Sequence, residues 1–480
     1  MKRTQPQQLS THETAALEPR FAVIILSALL ALTAVLAGCS KKDGGAEPAG
    51  RPPVLLIAVD GVEWNVVKPL LENGKLPVME GLMKRGMYGY IESMRPTYSP
   101  LIWTSVATGK TPTKHGINHF VYEDFEDGVK QRRYFTSGHR KTKAFWNILS
   151  DYDQVVHSVG WWMTYPVEPI NGIMVSQTNT ADVLVDPREA LWKGALLKGV
   201  EDQVYPRDFQ NHVMDILEDV DESLEDIADN IFGRPPHPLN QFSRLMWDKA
   251  AWAVRADVTY ERVVKDILSK DKPFDMLAVY FGLTDIVGHR FWRYSYPGEF
   301  KFKPDINQIE NFGETIDKAY IYADRVIGEI VAMAPKDATI IIMSDHGMHA
   351  INKRRPYTPA DSPLYQNSGG HPDAPPGFFI ASGTGIQTSG TSDMSSLTTV
   401  GTMVDVLPTL LVLRGIPLGE DMDGSPMRSI LELDLLAETG IEYVPTHDTE
   451  KWLAGRHKRQ RDAVNQTERL EQLRSLGYIK

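Results

Sequence analysis

The sequence predicts an α/β fold, a mostly parallel sheet flanked by helices and interrupted by a helical insertion. Three observations lead there. The runs Val54–Val59, Met276–Gly282 and Thr339–Ser344 are short and largely apolar, which suits strands buried on both faces. Stretches with apolar residues at helical spacing alternate with them. Each run also delivers an aspartate near its carboxyl end, Asp60, Asp285 and Asp345, at the edge where open α/β sheets collect ligands. One such aspartate alone is better read as a cap on the next helix. The repetition argues for a site.

Length and charge bound the function. The 480 residues suffice for one large α/β domain with insertions or for two to three average domains. The net charge is −11, with no long basic stripe, so binding to duplex nucleic acid is not expected. Cys39 is the single cysteine, which excludes an intramolecular disulfide. It ends an apolar segment, Phe21 to Ala37, preceded by Lys2, Arg3 and Arg20, the layout of a secretory signal. Leu36-Ala37-Gly38-Cys39 resembles the bacterial lipobox, whose cysteine is lipidated and becomes the mature N-terminus. The competing account is a plain membrane anchor, for which an apolar stretch of this length lies at the lower limit. Ser40 after the cysteine resembles outer-membrane sorting, so the expected location is the cell envelope, lipid-anchored and facing the periplasm.

Taken in order, residues 1–39 read as the signal and 40–53 as a tether rich in Gly and Pro. The catalytic unit is expected over 54–480. Val54–Val59 is its first strand, and Leu76 to Arg85 is helical, with Gly86 ending it. Next comes the densest motif, Arg95 to Ile117. Ser99 precedes Pro100, and proline is welcome in the first turn of a helix. Ser99 is thus expected at the cap, where backbone N–H groups favour an anion, although a cap and nothing more is the ordinary account of such a serine. That helix ends near Thr108-Gly109. A helix over Lys143–Leu149 and a strand over Val155–Gly160 follow, then Trp161-Trp162, either a pocket wall or core. Residues 178–268 form the helical insertion. Asp215–Ile231 is its acidic surface helix and Phe242–Leu268 its long helix, separated by Gly233-Arg-Pro-Pro-His-Pro. The sheet resumes with a strand at 275–282, a helix at 311–333 and a strand at 338–344. Lys353-Arg354-Arg355 and the tract Arg456 to Arg461 read as solvated surface.

The chemistry gathers at the strand ends. Asp285 and His289 are spaced i, i+4, one face of a helical turn. Asp345 and His346 are adjacent, which works only where the backbone turns. His371 lies in the loop Gly369-Gly370-His371-Pro. With Asp60, three carboxylates and three imidazoles result, a set suited to zinc. Two divalent ions so held clamp the attacking and leaving oxygens of a phosphoryl displacement.

On these residues the chain resembles the alkaline phosphatase superfamily, and within it the type I phosphodiesterase/nucleotide pyrophosphatase family. The matching pieces are Val59-Asp60-Gly61, Thr108 through His115-Gly116-Ile117, Asp285-Ile-Val-Gly-His289, Ser344-Asp345-His346-Gly347 and Gly370-His371. The resemblance implies an alkaline-phosphatase-like sheet and hydrolysis of phosphate esters with two divalent ions, zinc above all. Asp60, Ser99, Asp345 and His346 would surround one ion, and Asp285, His289 and His371 the other, with Ser99 as nucleophile. A small phosphate ester is the implied substrate. Two departures stand out. The family's Phe-Pro-Asn after the nucleophile is Pro100-Leu101-Ile102 here, and the family's phosphate-binding Asn falls on Phe120, which leaves Asn118 or His119 to substitute. Phosphomonoesterase, phosphonate hydrolase and phosphotransferase therefore stay open as alternatives. A sulfatase is disfavoured, because Ser99-Pro100-Leu101 lacks the Cys/Ser-x-Pro-x-Arg setting.

Overall fold

The computed structural model describes residues 51–126, 128–181, 192–198, 200–270, 272–354, 367–395 and 397–455. Cys39, the apolar leader, most of the tether, Arg355 and the basic tract at 456–461 lie outside the described residues.

Nine strands form the main sheet: β1 (Val54–Val59), β2 (Gly86–Glu92), β3 (Val156–Trp161), β4 (Gly172–Ser176), β5 (Val204–Tyr205), β6 (Met276–Phe281), β7 (Thr339–Met343), β8 (Gly377–Ser382) and β9 (Thr399–Thr402). Their order is β9-β2-β8-β7-β1-β6-β3-β4-β5. The run from β7 to β4 is parallel throughout. Antiparallel β8 joins β7 to β2, and β5 pairs antiparallel at the far edge.

The apolar runs have the two-sided burial that their sequence implies. Leu55, Ile57 and Val59 face one core, while Val54, Leu56 and Ala58 face the other. On the first face pack helices Trp64–Glu72, Gln241–Ser269, Leu283–Ser295 and Thr315–Met333. On the second pack Ser99–Thr108, Phe145–Asp151 and Val406–Arg414. Trp161 and Trp162 belong to this second core. The helix that starts at Ser99 and the helix that carries Asp285 and His289 therefore lie on opposite faces.

Several boundaries shift. The acidic stretch is two helices, Gln210–Glu222 and Leu224–Phe232. They part at Ser223, whose hydroxyl donates to Asp219 O at 2.6 Å, a local bond that competes with helix continuation. The 311–333 segment likewise divides at Gly313, into Ile306–Phe312 and Thr315–Met333. Between 178 and 268 the chain also contributes a hairpin, Thr178–Ala181 with Trp192–Ala195, and edge strand β5. Its long helix, Gln241–Ser269, buries Val263, Val264 and Ile267 completely in the first core, so that helix is a layer of the main fold.

Candidate active site

β1 and β7 are adjacent and parallel, so their carboxyl ends set Asp60 beside the Asp345-His346 turn. His346 Nε2 lies 3.5 Å from Asp60 Oδ1 and 3.4 Å from Asp345 Oδ2. From the other side of β1, β6 leads into helix Leu283–Ser295, whose first turn holds Asp285. The i, i+4 expectation is met there, with His289 Nε2 3.4 Å from Asp285 Oδ1. The His371 ring stacks on His346 at 4.0 Å and meets His289 edge-on at 5.0 Å. Gly61 allows the close approach. It has φ +69°, and a Cβ there would stand 2.8 Å from Asp285 Cα.

The donor atoms suit a cation. Asp60 Oδ1, Asp285 Oδ1, Asp345 Oδ2 and His346 Nε2 are buried without a hydrogen-bond partner. All three imidazoles are oriented through Nδ1: His346 toward Gly347 O at 3.1 Å, His289 toward Gly369 O at 3.0 Å, and His371 toward the Thr97 hydroxyl at 3.1 Å. A carbonyl can only accept, so Nδ1 carries the proton in His346 and His289. Thr97 donates its own hydrogen to His371 O at 2.8 Å, so its oxygen accepts from His371 Nδ1. Each Nε2 is left with its lone pair available, the usual bracing of a metal-binding histidine. Two clusters have donor atoms within 4.8 Å of one another, Asp285 with His289 and His371, and Asp60 with Asp285 and His346. Asp285 is common to both, whereas the sequence pattern assigned it to one.

Electrostatics point the same way. Burial, then the Asp60 carboxylate, holds Asp285 and Asp345 well above the usual carboxylate range. Burial likewise depresses His346, holds His289 near 4 and, with help from the neighbouring imidazoles, holds His371 well below normal. Neutral imidazoles are the form that binds metal, and a cation is what such a carboxylate cluster requires to ionise.

The family is decided by comparison with known proteins. Residues 54–366 match the model for type I phosphodiesterase/nucleotide pyrophosphatase. The chain belongs to that family. No curated protein matches it. Solved structures resemble it at low identity. Phosphonoacetate hydrolase from Sinorhizobium meliloti 1021, in complex with phosphonoformate, aligns at 15% identity and TM-score 0.36, over 63% of this chain and 57% of that one. Murine ectonucleotide pyrophosphatase/phosphodiesterase 5, an inactive variant with AMP, aligns at 12% and 0.44, over 79% of this chain and 100% of that one. Alkaline phosphatase PafA aligns at 12% and 0.47, over 80% and 100%.

In this phosphodiesterase-family chain Ser99 is the first residue of helix Ser99–Thr108, and Tyr98 is the N-cap. The expectation of Ser99 at the cap is thus off by one position, and the Tyr98 side chain makes no capping bond. Residues on either side of Ser99 in the chain contact the cluster. Thr97, two residues before, holds His371. Trp103, one turn after, donates from Nε1 to Asp60 Oδ2 at 3.1 Å.

Asn118 and His119 line a cleft of about 520 Å³ beside this helix, together with Pro96 and Leu101. The His119 ring packs edge-on against Tyr98 at 4.4 Å. Phe120 is buried in the second core, 5.5 Å from Trp162, and cannot serve as a phosphate donor. Lys353 is exposed and paired with Glu299 at 3.1 Å, as a solvated loop requires.

Besides Trp103 and Thr97, four further residues around the site were not foreseen. The Tyr280 hydroxyl donates to Asp60 Oδ2 at 2.7 Å, so with Trp103 it fixes one oxygen and leaves Oδ1 facing the cluster. Glu63 accepts from Asn65 N and Met348 N, both at 2.9 Å, and so ties the Asp60 loop to the His346 loop. Fully buried Asp257 accepts from Gly282 N and Leu283 N at 2.9 and 3.0 Å, anchoring the start of the helix that bears Asp285. Arg95 lines the cleft. Tyr280 had a signal, since it lies in a strand that ends at the site. Glu63 and Asp257 are acidic residues whose partners lie far along the chain, and periodicity cannot find such pairs.

Proposed function

We propose that this chain is a metal-dependent hydrolase of phosphate esters, diesters above all, with Ser99 as nucleophile. The convergence of Asp60, Asp285, Asp345, His289, His346 and His371 on one sheet edge, with four donor atoms buried and unpartnered, carries this reading. Two divalent ions, zinc by the mixed carboxylate and imidazole donors, would be held by these side chains. When bound they supply Lewis acidity toward the phosphoryl oxygens and favour ionisation of the Ser99 hydroxyl.

Ser99 Oγ attacks phosphorus in line as its proton is lost to solvent, and the P–O bond to the ester group breaks, releasing an alcohol. The N-terminus of helix Ser99–Thr108 favours the negative charge that develops there. Trp103 and Tyr280 hold Asp60 still throughout. Water then attacks phosphorus and Ser99 Oγ departs, which restores the enzyme. Asn118 and His119 line the side from which the ester group enters.

Turnover of bis(para-nitrophenyl) phosphate, para-nitrophenyl phosphate and para-nitrophenyl sulfate, with and without added zinc, tests this. The diester should be hydrolysed fastest and only with metal. Faster monoester turnover would assign a phosphomonoesterase, because Phe120 replaces the family's Asn. Sulfate hydrolysis, or activity indifferent to chelation, would contradict the proposal. The leader suggests the location. With Cys39 lipidated, the protein partitions into detergent and Cys39→Ser accumulates as precursor. Wild-type protein recovered lipid-free in the periplasm would contradict this.

A further inference from the structure

Among the described residues, the cleft beside the Ser99 helix carries one cation, Arg95, on a wall of mixed apolar and polar groups. Pro96 and Leu101 supply apolar surface, Asn118 and His119 the polar edge, and Arg95 the charge. Its volume of about 520 Å³ falls within the range of small-molecule pockets. Arg95 and Pro96 stand a few residues before Ser99 and Leu101 two after it, so the cleft runs along the segment that carries the proposed nucleophile.

Arg95 is placed by its surroundings. Its Nη2 donates to Ala374 O at 2.9 Å, in the loop that follows His371. Its Nη1 lies 3.6 Å from Asp373, whose side chain is 97% exposed. An ion pair that loose and that wet is worth little. The acidic group on the cleft wall, Glu123, is engaged by Lys130 at 2.7 Å across its hairpin. The guanidinium is thus held in position at the cleft with its charge largely uncompensated.

We propose that Arg95 reads a second negative charge on the substrate, so that the enzyme prefers phosphate esters whose organic group bears a carboxylate or a further phosphate. This rests on the hydrolase reading above and deepens it. An ester group entering the cleft lays its apolar body on Pro96 and Leu101 and brings its anionic substituent to the planar, bidentate donor face of Arg95. A neutral ester group gains the apolar contact alone.

The rival account makes Arg95 a latch that holds the His371 loop through Ala374. The two accounts separate in one experiment. The kcat/KM of wild type, Arg95→Ala and Arg95→Lys is measured on two symmetrical diesters, bis(para-carboxyphenyl) phosphate and bis(para-nitrophenyl) phosphate, with metal content determined in parallel. Symmetry places the same substituent in the cleft whichever ester group departs, and comparison with wild type on the same substrate cancels intrinsic reactivity. Arg95→Ala should lower kcat/KM on the carboxylated diester by about tenfold more than on the neutral one, the size of one good charged contact. The loss should appear mainly in KM, with metal content unchanged and partial recovery in Arg95→Lys. Equal losses on both diesters, or a loss that tracks metal content, would overturn the proposal in favour of the latch while leaving the hydrolase reading intact. Wild-type protein that hydrolyses neither diester would refute the hydrolase reading, and this inference with it.

Discussion

The two halves of the candidate metal centre are built differently. Asp60, Asp345 and His346 sit at the ends of adjacent parallel strands, with side chains 0–1% exposed. Asp285 and His289 ride on the first turns of a helix, with side chains 16% and 11% exposed. His371 lies half-buried on a loop and is braced by Thr97. In the first half both carboxylates are fixed by sheet register and the core seals them in. In the second, ligand position depends on a helix start, a loop and the residues that hold them. The difference teaches that this centre has a rigid, closed side and an adjustable, accessible side, and it predicts unequal metal affinity and exchange.

The largest expected effect is at the proposed nucleophile. Ser99→Ala should lower turnover by roughly 10⁴-fold or more and keep metal content nearly intact, because the six Asp and His donors remain. Thr97→Ala should cost far less, since its hydroxyl already serves His371. Steady-state kinetics beside metal analysis check both.

The halves themselves come next. Asp345→Ala should abolish metal retention on the closed side, and His371→Ala should weaken the open side while a chelator still removes the remaining ion slowly. Equal chelation rates for both metals in the wild type would break the comparison.

Tyr280→Phe removes only the hydrogen bond to Asp60 Oδ2. Loss of such an outer partner is expected to reduce metal affinity by about 10–100-fold, confined to the closed side. A metal titration that shows the weaker site shifted instead would reverse the assignment.

Asp257→Ala leaves Gly282 N and Leu283 N without their acceptor. Urea denaturation should show a cost of about 1–3 kcal/mol, accompanied by weakened metal binding through Asp285, the carboxylate common to both clusters.

A further effect concerns buried histidines outside the metal cluster. Burial holds His115 near pH 3 and His139 and His157 near 4. Their folded values lie below the unfolded value near 6.5, so the unfolded chain binds more protons in between. Stability from these groups is complete above about pH 6.5 and falls as pH drops toward 3–4, by up to about 1.4 kcal/mol per pH unit for each. Denaturation midpoints measured from pH 7.5 to 5 should decline with that sign.

Much of this was legible because strands buried on both faces leave an unmistakable apolar signature and a residue at each strand end. Asp60, Asp285 and Asp345 could be placed on one edge from that pattern alone, and i, i+4 spacing added His289. The Ser99 helix was located to within one residue, as Pro100 marks its first turn. What stayed hidden depends on three dimensions. The shared position of Asp285 between both clusters follows from the close contact at Gly61. The clamps made by Tyr280, Glu63 and Asp257 join residues some 220, 285 and 25 positions from their partners. The break at Ser223 came from a hydroxyl bonding its own helix, which hydrophobic periodicity does not register.

The central claim is that Ser99 attacks phosphorus at this edge. Acid-quenching the metal-loaded enzyme during turnover of bis(para-nitrophenyl) phosphate, followed by peptide mass spectrometry, tests it most directly. The account predicts a phosphoryl ester on Ser99 that disappears in Ser99→Ala. An adduct on Thr97, or full activity in Ser99→Ala, would contradict it.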